Sequence, residues 1–111
     1  MTQTDLHFTE AGSTSTELFP GYRGRFVHGA KMTVAIWNVA AGSEIPSHSH
    51  PHEQIVNCIE GTFEMRVADQ VYLMAAGDSV VVPGGAEHSA LAHTDVRCID
   101  VFHPVRYDYR I

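Results

Sequence analysis

The stretch Gly42–Gly61, GSEIPSHSHPHEQIVNCIEG, holds the densest chemical pattern in this chain of 111 residues. Histidines stand at every second position, 48, 50 and 52, and Gln54 continues the same parity. Side chains two residues apart in an extended chain point to the same face, so His48 and His50 can direct two imidazoles to one point in space. Gln54 can join them after the bend that Pro51 permits. The stretch therefore predicts a short strand that presents metal ligands.

The chain has eight histidines, a high number for its length, and they do not all share this pattern. His52 is the doubtful member of the alternating set, because one ion does not readily accept four ligands from one strand. A further ligand is expected from another strand, and His88, which follows the rigid turn Pro83-Gly84-Gly85, is the natural candidate. The other four stand alone among ordinary residues and are interpreted as exposed side chains: His7, His28, His93 and His103.

Glycine and proline recur every few residues, and no window sustains apolar residues at helical spacing, which leaves little or no helix. Short runs with strand patterning recur instead, separated by turn chemistry such as Ala76-Gly77-Asp78. Many short antiparallel strands predict an all-β sandwich, jelly roll or barrel. Nine strands are predicted, over Tyr22–His28, Met32–Ala40, His48–His50, Glu53–Ile59, Thr62–Val67, Val71–Met74, Ser79–Val82, His88–Ala92 and Val96–Phe102.

Composition and charge narrow the class of protein. A chain of 111 residues that is 44% apolar suits one globular domain, assigned to residues 18–111, behind a flexible, Thr- and Ser-rich leader at residues 1–17. Thirteen acidic against seven basic residues give a net charge of −6, which argues against nucleic acid as a partner. Apolar runs too short for a bilayer and the lack of a secretory signal after Met1 favour no membrane partner and a cytoplasmic location.

Two further expectations concern cysteines and assembly. Cys58 and Cys98 are interpreted as buried free thiols rather than as a disulfide. The edge strands of a small β-barrel and a charged fraction of only 18% predict a homodimer. The segment Tyr22–Trp37 is interpreted either as part of that interface or as ordinary packing within one chain.

Two segments of the chain resemble the motifs of the cupin family. The first is similar to Gly-x5-His-x-His-x3-Glu-x6-Gly, with glutamine in the place of glutamate, and the second to Gly-x5-Pro-x-Gly-x2-His-x3-Asn, with alanine in the place of asparagine. The matching residues are Gly42, His48, His50, Gln54 and Gly61 in the first segment, and Gly77, Pro83, Gly85, His88 and Ala92 in the second. Both motifs occur in the right order, which makes the match far more specific than a lone His-x-His.

The resemblance implies a small jelly-roll β-barrel with one divalent metal ion inside it, and no organic cofactor. Its ligands are expected to be His48, His50, Gln54 and His88. These donors suit several ions, so nickel, zinc, manganese, iron and copper all remain open. Three neutral imidazoles and a neutral amide leave the charge of the ion uncompensated, and such a site attracts anions and polarises their oxygens.

The end of the chain resembles the pectin-degradation cupins of the KdgF type. There an Asp-x-Phe-x-Pro-x-Arg sequence follows the last barrel strand and serves the active site, which carries over to Asp100, Phe102 and Arg106. Asp100 is expected to transfer a proton, Phe102 to form an apolar wall against a sugar ring, and Arg106 to bind a substrate carboxylate with its planar fork. Without that resemblance they are interpreted as a turn acid, a core aromatic and a solvated tail residue.

The reaction that this resemblance implies is linearisation of 4,5-unsaturated uronates, the monosaccharides that lyases release from pectin or alginate, to 4-deoxy-5-keto-uronates. The expected partner is therefore a small anionic sugar. Two alternatives use the same pocket: a cupin dioxygenase that acts on a small organic substrate, and a non-catalytic module that binds sugar acids. Oxygen-activating cupins more often keep the glutamate that Gln54 replaces, which argues mildly against the first alternative.

Overall fold

The computed structural model describes residues 6–109, which form two antiparallel β-sheets packed face to face as a jelly-roll barrel. One sheet has six strands in the order β1-β2-β3-β10-β5-β8, and the other has four in the order β4-β9-β6-β7. The described part of the chain has one short 3₁₀ turn, Tyr107–Tyr109. The strands are β1 Thr16–Phe19, β2 Tyr22–His28, β3 Thr33–Val39, β4 Glu44–His48, β5 Glu53–Glu60, β6 Phe63–Val67, β7 Gln70–Met74, β8 Ser79–Val82, β9 His88–Ala92 and β10 Val96–His103.

The all-β, antiparallel prediction is confirmed, and most of the strands lie within one or two residues of their predicted bounds. The predicted strand His48–His50 is wrong, because β4 begins at Glu44 and ends at His48. His50 lies in the connection to β5, before Pro51, a residue that supplies no N–H to a strand ladder. His48 and His50 thus belong to different backbone elements, a strand and a connection, and not to one extended strand as their alternation predicted.

The sequence prediction missed β1, which pairs with β2 through a turn at Pro20 and Gly21. Its first two residues fall inside the leader predicted at residues 1–17, where the polar composition hides the strand. The first five residues of that leader lie outside the described residues, and the division into leader and domain stays a prediction.

Side chains alternate between the core and the outside along the central strands β3 and β10, and the inward positions meet in one apolar core. Trp37, which is 3% exposed, lies at the centre of an aromatic cluster with Phe19, Tyr22, Phe26 and Tyr109. Its ring covers Gly24 on β2, where an added Cβ would lie 2.6 Å from the indole. Only glycine therefore leaves room for the indole at this place in the sheet.

The outer face of the six-stranded sheet carries an unbroken row of β-branched side chains in register across five strands. The row consists of Val27, Val34, Val101, Ile55 and Val81, of which the last two are more than one-third exposed. The homodimer stays a prediction, and this row offers it an apolar surface that includes part of the segment Tyr22–Trp37.

Both cysteines are buried free thiols, as expected, and they face each other on β5 and β10. Within the described residues, no helix is long and apolar enough to span a membrane.

Candidate functional site

Three histidines come together at one end of the barrel. His48 and His88 have ring centroids 4.3 Å apart, and His50 lies 4.7 Å from His88 and 5.7 Å from His48. One nitrogen from each ring lies within 4.8 Å of the other two, which is the arrangement of a tridentate metal site. The structure therefore brings together the three imidazoles that the sequence analysis singled out.

Two features of the backbone bring the three histidines together: a cross-strand pairing and a turn. His48 and His88 are direct cross-strand partners of β4 and β9, so their side chains leave the sheet on the same face. His50 is held by the turn after β8, where the Gly85 N–H donates to the His50 carbonyl at 2.8 Å. That turn approaches so closely that a Cβ at Gly84 would lie 2.5 Å from the Pro51 oxygen. The Pro83-Gly84-Gly85 turn therefore positions His50 as well as leading into His88.

Each of the three imidazoles has its Nδ1 on a main-chain carbonyl. The partners are Pro46 O for His48 at 3.0 Å, His52 O for His50 at 3.1 Å and Ala86 O for His88 at 2.9 Å. A carbonyl only accepts, so Nδ1 carries the proton in all three rings and Nε2 keeps its lone pair. Metal-binding histidines are commonly oriented in this way.

Gln54, 6% exposed, adds an amide to this cluster. Its Nε2 donates to Asp100 Oδ2 at 3.1 Å, which turns its Oε1 toward His50 Nε2, also at 3.1 Å. With the His50 proton on Nδ1, two lone pairs face each other across that gap. Burial lowers the pKa of His50 to about 4, with Arg106 and His88 adding to the shift, so a second proton on the ring is disfavoured at neutral pH.

Lone pairs that face each other in this way repel, and a bound cation would remove the repulsion. The cluster offers four atoms that carry a lone pair and no hydrogen, three nitrogens and one oxygen. They are Nε2 of His48, His50 and His88 and Oε1 of Gln54. Burial also lowers the pKa of His88, which keeps that ring neutral and able to bind a metal. The site therefore fits a divalent metal ion, in agreement with the cofactor that the sequence predicted.

Asp100 lies on β10 beside this cluster and is 8% exposed. Its Oδ2 accepts hydrogen bonds from Trp37 Nε1 at 3.2 Å and from Gln54 Nε2 at 3.1 Å, whereas its Oδ1 is buried and has no partner within residues 6–109. Burial raises the pKa of Asp100 to about 7, against the opposing effect of those two hydrogen bonds and of Arg106. A carboxyl group with such a pKa can both give and take a proton near neutral pH.

Arg106, 7% exposed, lies between two aromatic rings at the same end of the barrel. Its guanidinium carbon is 4.7 Å from the Phe102 ring centroid and 4.1 Å from that of Tyr109. Asp108 binds the Nε and Nη2 edge at 3.0 and 2.7 Å, so this edge is not available to a substrate. The fork that the sequence offered to a carboxylate is therefore reduced to the Nη1–Nη2 end.

The segment that carries Arg106 is anchored to the barrel by two residues near the ends of β2 and β3. Thr33 Oγ1 accepts a hydrogen bond from the Arg106 backbone N–H at 2.9 Å and lies 2.9 Å from His28 Nδ1. His28 Nε2 in turn lies 3.3 Å from the Tyr109 carbonyl. His28 was expected to be an exposed histidine, but it is half-buried and holds the chain end in place.

The three imidazoles, Gln54, Asp100 and Arg106 line one cavity inside the barrel, with a volume of about 40 Å³. Such a volume admits a few water-sized groups, so a sugar ring would occupy the mouth of the cavity. The remaining lining is mostly apolar and aromatic, with Phe19, Ile45, Val56, Phe63, Met65 and Ala90 among its members. Every predicted site residue belongs to this lining: His48, His50, Gln54, His88, Asp100, Phe102 and Arg106.

The remaining histidines lie elsewhere. His52 is outside the three-histidine cluster and contributes its carbonyl to His50, and His93 pairs with Glu64 on the surface at 3.0 Å. Sequence reasoning missed Trp37, Tyr22, Tyr109 and Asp108 as parts of the site. The only signal for Trp37 was its parity on a strand beside β10, and nothing local linked it to Asp100.

Comparisons with known proteins agree with this geometry. The cupin domain family model matches residues 35–102. An RmlC-like cupin from Shewanella frigidimarina superposes with a TM-score of 0.91 at 25% identity, covering 98% of this chain and 99% of that one. KdgF from Halomonas sp. superposes with a TM-score of 0.88 at 26% identity, covering 95% of this chain and 98% of that one.

A curated relative, H2HPP isomerase of Bacillus subtilis, is 27% identical over 95 residues, which cover 83% of this chain and 40% of that protein. The chain spans half or less of the length of the curated relatives it matches.

A jelly-roll barrel, three convergent imidazoles and the match over residues 35–102 together define the class: this chain belongs to the cupin family. Within that family it is a small cupin of the KdgF type, because the likeness to KdgF extends over nearly the whole of both chains.

Proposed function

We propose that this cupin is a metal-dependent enzyme that opens the ring of 4,5-unsaturated uronates and yields 4-deoxy-5-keto-uronates. The observation that carries the proposal is the set of buried polar residues in the described chain. All five, Thr33, Gln54, His88, Asp100 and Arg106, lie at one end of the barrel. Burial of charged groups is costly, so their concentration beside a metal site favours a chemical role over a structural one.

The reaction needs three kinds of group, and the site offers all of them. The substrate is a carboxylate, a cyclic hemiacetal and an enol ether at once, so catalysis requires an anion binder, a group that polarises oxygen and a proton carrier. Arg106 offers the Nη1–Nη2 end of its guanidinium, away from the edge that Asp108 binds, and Asp100 Oδ1 has no partner among the described residues. His48, His50, His88 and Gln54 would hold a divalent ion, which would supply Lewis-acid polarisation of substrate oxygens.

The proposed reaction balances without any co-reactant. The hemiacetal hydroxyl loses its proton, the bond between C1 and the ring oxygen breaks, and C1 becomes an aldehyde. The ring oxygen keeps the electrons of the broken bond and becomes an enolate at C5, and addition of a proton at C4 converts that enolate into the C5 ketone. Asp100 is the proton carrier, since one carboxyl group with a pKa near 7 can accept the first proton and donate the second. The product is an isomer of the substrate.

Phe102 and Tyr109 have a different task in this proposal. Their rings lie on the Arg106 guanidinium and keep it close to the cavity mouth. Phe102 also lies 5.9 Å from the His50 ring, so it forms the apolar wall between the Arg106 guanidinium and the imidazoles. A sugar ring that places its carboxylate on Arg106 would therefore rest against Phe102.

Two comparisons support the proposal. The likeness to KdgF favours this substrate class, and the relative called an isomerase favours a reaction without net oxidation. Oxalate decarboxylase of Bacillus subtilis, at 18% identity, shares the fold alone.

Incubation of metal-loaded protein with unsaturated galacturonate tests the proposal, since loss of the conjugated double bond lowers the ultraviolet absorbance. We expect decay well above the buffer rate, and none after chelation. Decay at the buffer rate with galacturonate-type, mannuronate-type and guluronate-type substrates would refute the proposed activity. In that case, oxygen uptake with a small organic substrate would indicate a dioxygenase, and recovery of unchanged, tightly bound sugar acid would indicate a binding module.

A further inference from the structure

The inner part of the cavity contains two buried polar atoms that have no partner in the described structure. One is Asp100 Oδ1, and the other is the hydroxyl of Tyr22, a residue only 2% exposed. Both residues line the cavity that also holds the imidazoles. A third unpartnered atom, Nδ1 of His52, belongs to a residue outside this lining. Two unsatisfied groups in one small cavity point to an occupant that pairs with them.

Tyr22 and Asp100 share one wall of the cavity. The Tyr22 ring packs edge-on against Trp37 with centroids 6.0 Å apart, and Trp37 Nε1 donates to Asp100 Oδ2 at 3.2 Å. The strand register places Tyr22 opposite Val39 and through it Val96, farther along β10 from the imidazoles than Asp100. The Tyr22 backbone is therefore farther from the imidazoles along the sheet than that of Asp100, and the Tyr22 side chain lines the same cavity.

Packing alone does not account for a tyrosine at this position. Phenylalanine would give the same contacts with Phe19 and Trp37 without burying an unpaired hydroxyl, which is unfavourable. Burial raises the pKa of Tyr22 well above its usual value, and Cys98 and Asp100 add to the shift. The hydroxyl thus stays protonated and can donate a hydrogen bond, and Asp100 Oδ1 can accept one.

An occupant that satisfies both atoms must accept one hydrogen bond and donate another. A hydroxyl group does both, and its size suits an enclosed space of about 40 Å³. We propose that Tyr22 is a substrate-binding residue whose hydroxyl, together with Asp100 Oδ1, binds a hydroxyl group of the sugar acid in the inner cavity. This inference rests on the proposed sugar-acid substrate and adds a selectivity for ligands that carry hydroxyl groups. Water would hold the same place in the absence of substrate.

Ligand binding to zinc-loaded protein tests this proposal without turnover. Trp37 is the single tryptophan of the chain and contacts both residues, so its fluorescence reports on the inner cavity. Zinc is suitable because it has a filled d shell and no redox chemistry. The two ligands are galacturonate, which has hydroxyl groups and no double bond to consume, and adipate, a six-carbon carboxylate without hydroxyl groups.

We expect Tyr22→Phe to bind galacturonate about tenfold more weakly than the wild type does, as for one lost hydrogen bond. The same variant should bind adipate unchanged and unfold at the wild-type temperature or above it. Tyr72→Phe is the matched control, since Tyr72 lies on β7, is 44% exposed and does not line the cavity. It should bind both ligands as the wild type does.

Three results would overturn the role of Tyr22. These are wild-type affinity of Tyr22→Phe for galacturonate, an equal loss of galacturonate and adipate binding, and a wild-type protein that does not bind galacturonate. The first means that water alone occupies the place, and the second means that Tyr22 only shapes the cavity. The proposed activity fails separately, because it is judged by turnover of unsaturated uronate by the wild type.

Discussion

The two sheets contribute chemically different halves to one site. The imidazole half consists of His48 and His88 on β4 and β9 of the four-stranded sheet, with His50 in the connection that follows β4. Its rings are oriented by main-chain carbonyls. The carboxylate half consists of Gln54, Asp100 and Trp37 on the six-stranded sheet, and these side chains are oriented by one another.

This difference determines what each half can do. Main-chain carbonyls fix the protonated nitrogen of each ring, which leaves three lone pairs ready for a metal ion. The carboxylate half lies deeper in the barrel, where burial keeps the pKa of Asp100 near 7 and its proton available for transfer. We therefore expect substitutions of the histidines to remove the metal, and substitution of Asp100 to retain it while the reaction fails.

The largest effect is expected from His50→Ala. The change removes one of three imidazoles, so metal affinity should fall by more than about 100-fold and activity should fall to the buffer rate. Metal content after dialysis, measured with the rate of ultraviolet decay, checks both. His93→Ala is the control, because His93 pairs with Glu64 on the surface, and it should keep the metal. Full metal retention by His50→Ala would show that His50 is not a metal ligand.

Asp100→Asn should separate the two halves most clearly. The amide keeps the shape of the side chain but cannot carry the proton, so we expect kcat to fall by about 10²- to 10⁴-fold while the metal stays bound. Metal content and turnover, measured on the same preparation, distinguish loss of the reaction from loss of the metal. A variant that loses its metal as His50→Ala does would show that Asp100 supports the ion rather than the reaction.

Arg106→Lys should have a smaller effect, mainly on substrate binding. Lysine keeps the charge but lacks both the planar end that meets a carboxylate and the surface that lies on Phe102 and Tyr109. We expect KM to rise about tenfold, with a smaller change in kcat and normal metal content. Arg66→Lys, on the exposed side of β6, should leave the kinetics unchanged. An unchanged KM in Arg106→Lys would mean that the carboxylate binds elsewhere.

Thr33→Val should have the smallest effect on activity. Valine fills the same space but leaves the buried N–H of Arg106 without an acceptor, which costs about 1–3 kcal/mol of stability. Activity should fall only severalfold, because the aromatic rings still hold the guanidinium. Urea unfolding and steady-state kinetics measure the two effects. Wild-type stability would show that the segment after β10 is held without this hydrogen bond.

The sequence was most informative where contacts are local. His48, His50 and Gln54 lie within seven consecutive residues, and the Pro83-Gly84-Gly85 turn lies just before His88. Motif spacing therefore predicted the imidazole half residue by residue, although it placed the strand at His48–His50 rather than at Glu44–His48. The side chains met as predicted because the cross-strand pairing of β4 and β9 brings His48 and His88 together.

The sequence was least informative where contacts are distant. Trp37 lies 63 positions from Asp100, and Thr33 lies 73 positions from Arg106. No local pattern marks such pairs, because strand order in the sheet and not spacing in the chain makes them neighbours. The pairing of Asp108 with Arg106 was missed for a different reason: the two residues are only two positions apart, but their contact depends on the 3₁₀ turn that follows β10.

The sequence by itself determined the fold class and the three imidazoles, because these follow from strand periodicity and short motifs. The acid, the aromatic ring and the arginine at the end of the last strand were predicted only through the resemblance to the KdgF-type cupins. Only the tertiary structure decided how they work together. Burial set the pKa of Asp100, the cavity left Asp100 Oδ1 and the Tyr22 hydroxyl unpartnered, and Asp108 took one edge of Arg106. Desolvation and long-range pairing exist only once the two sheets have packed together.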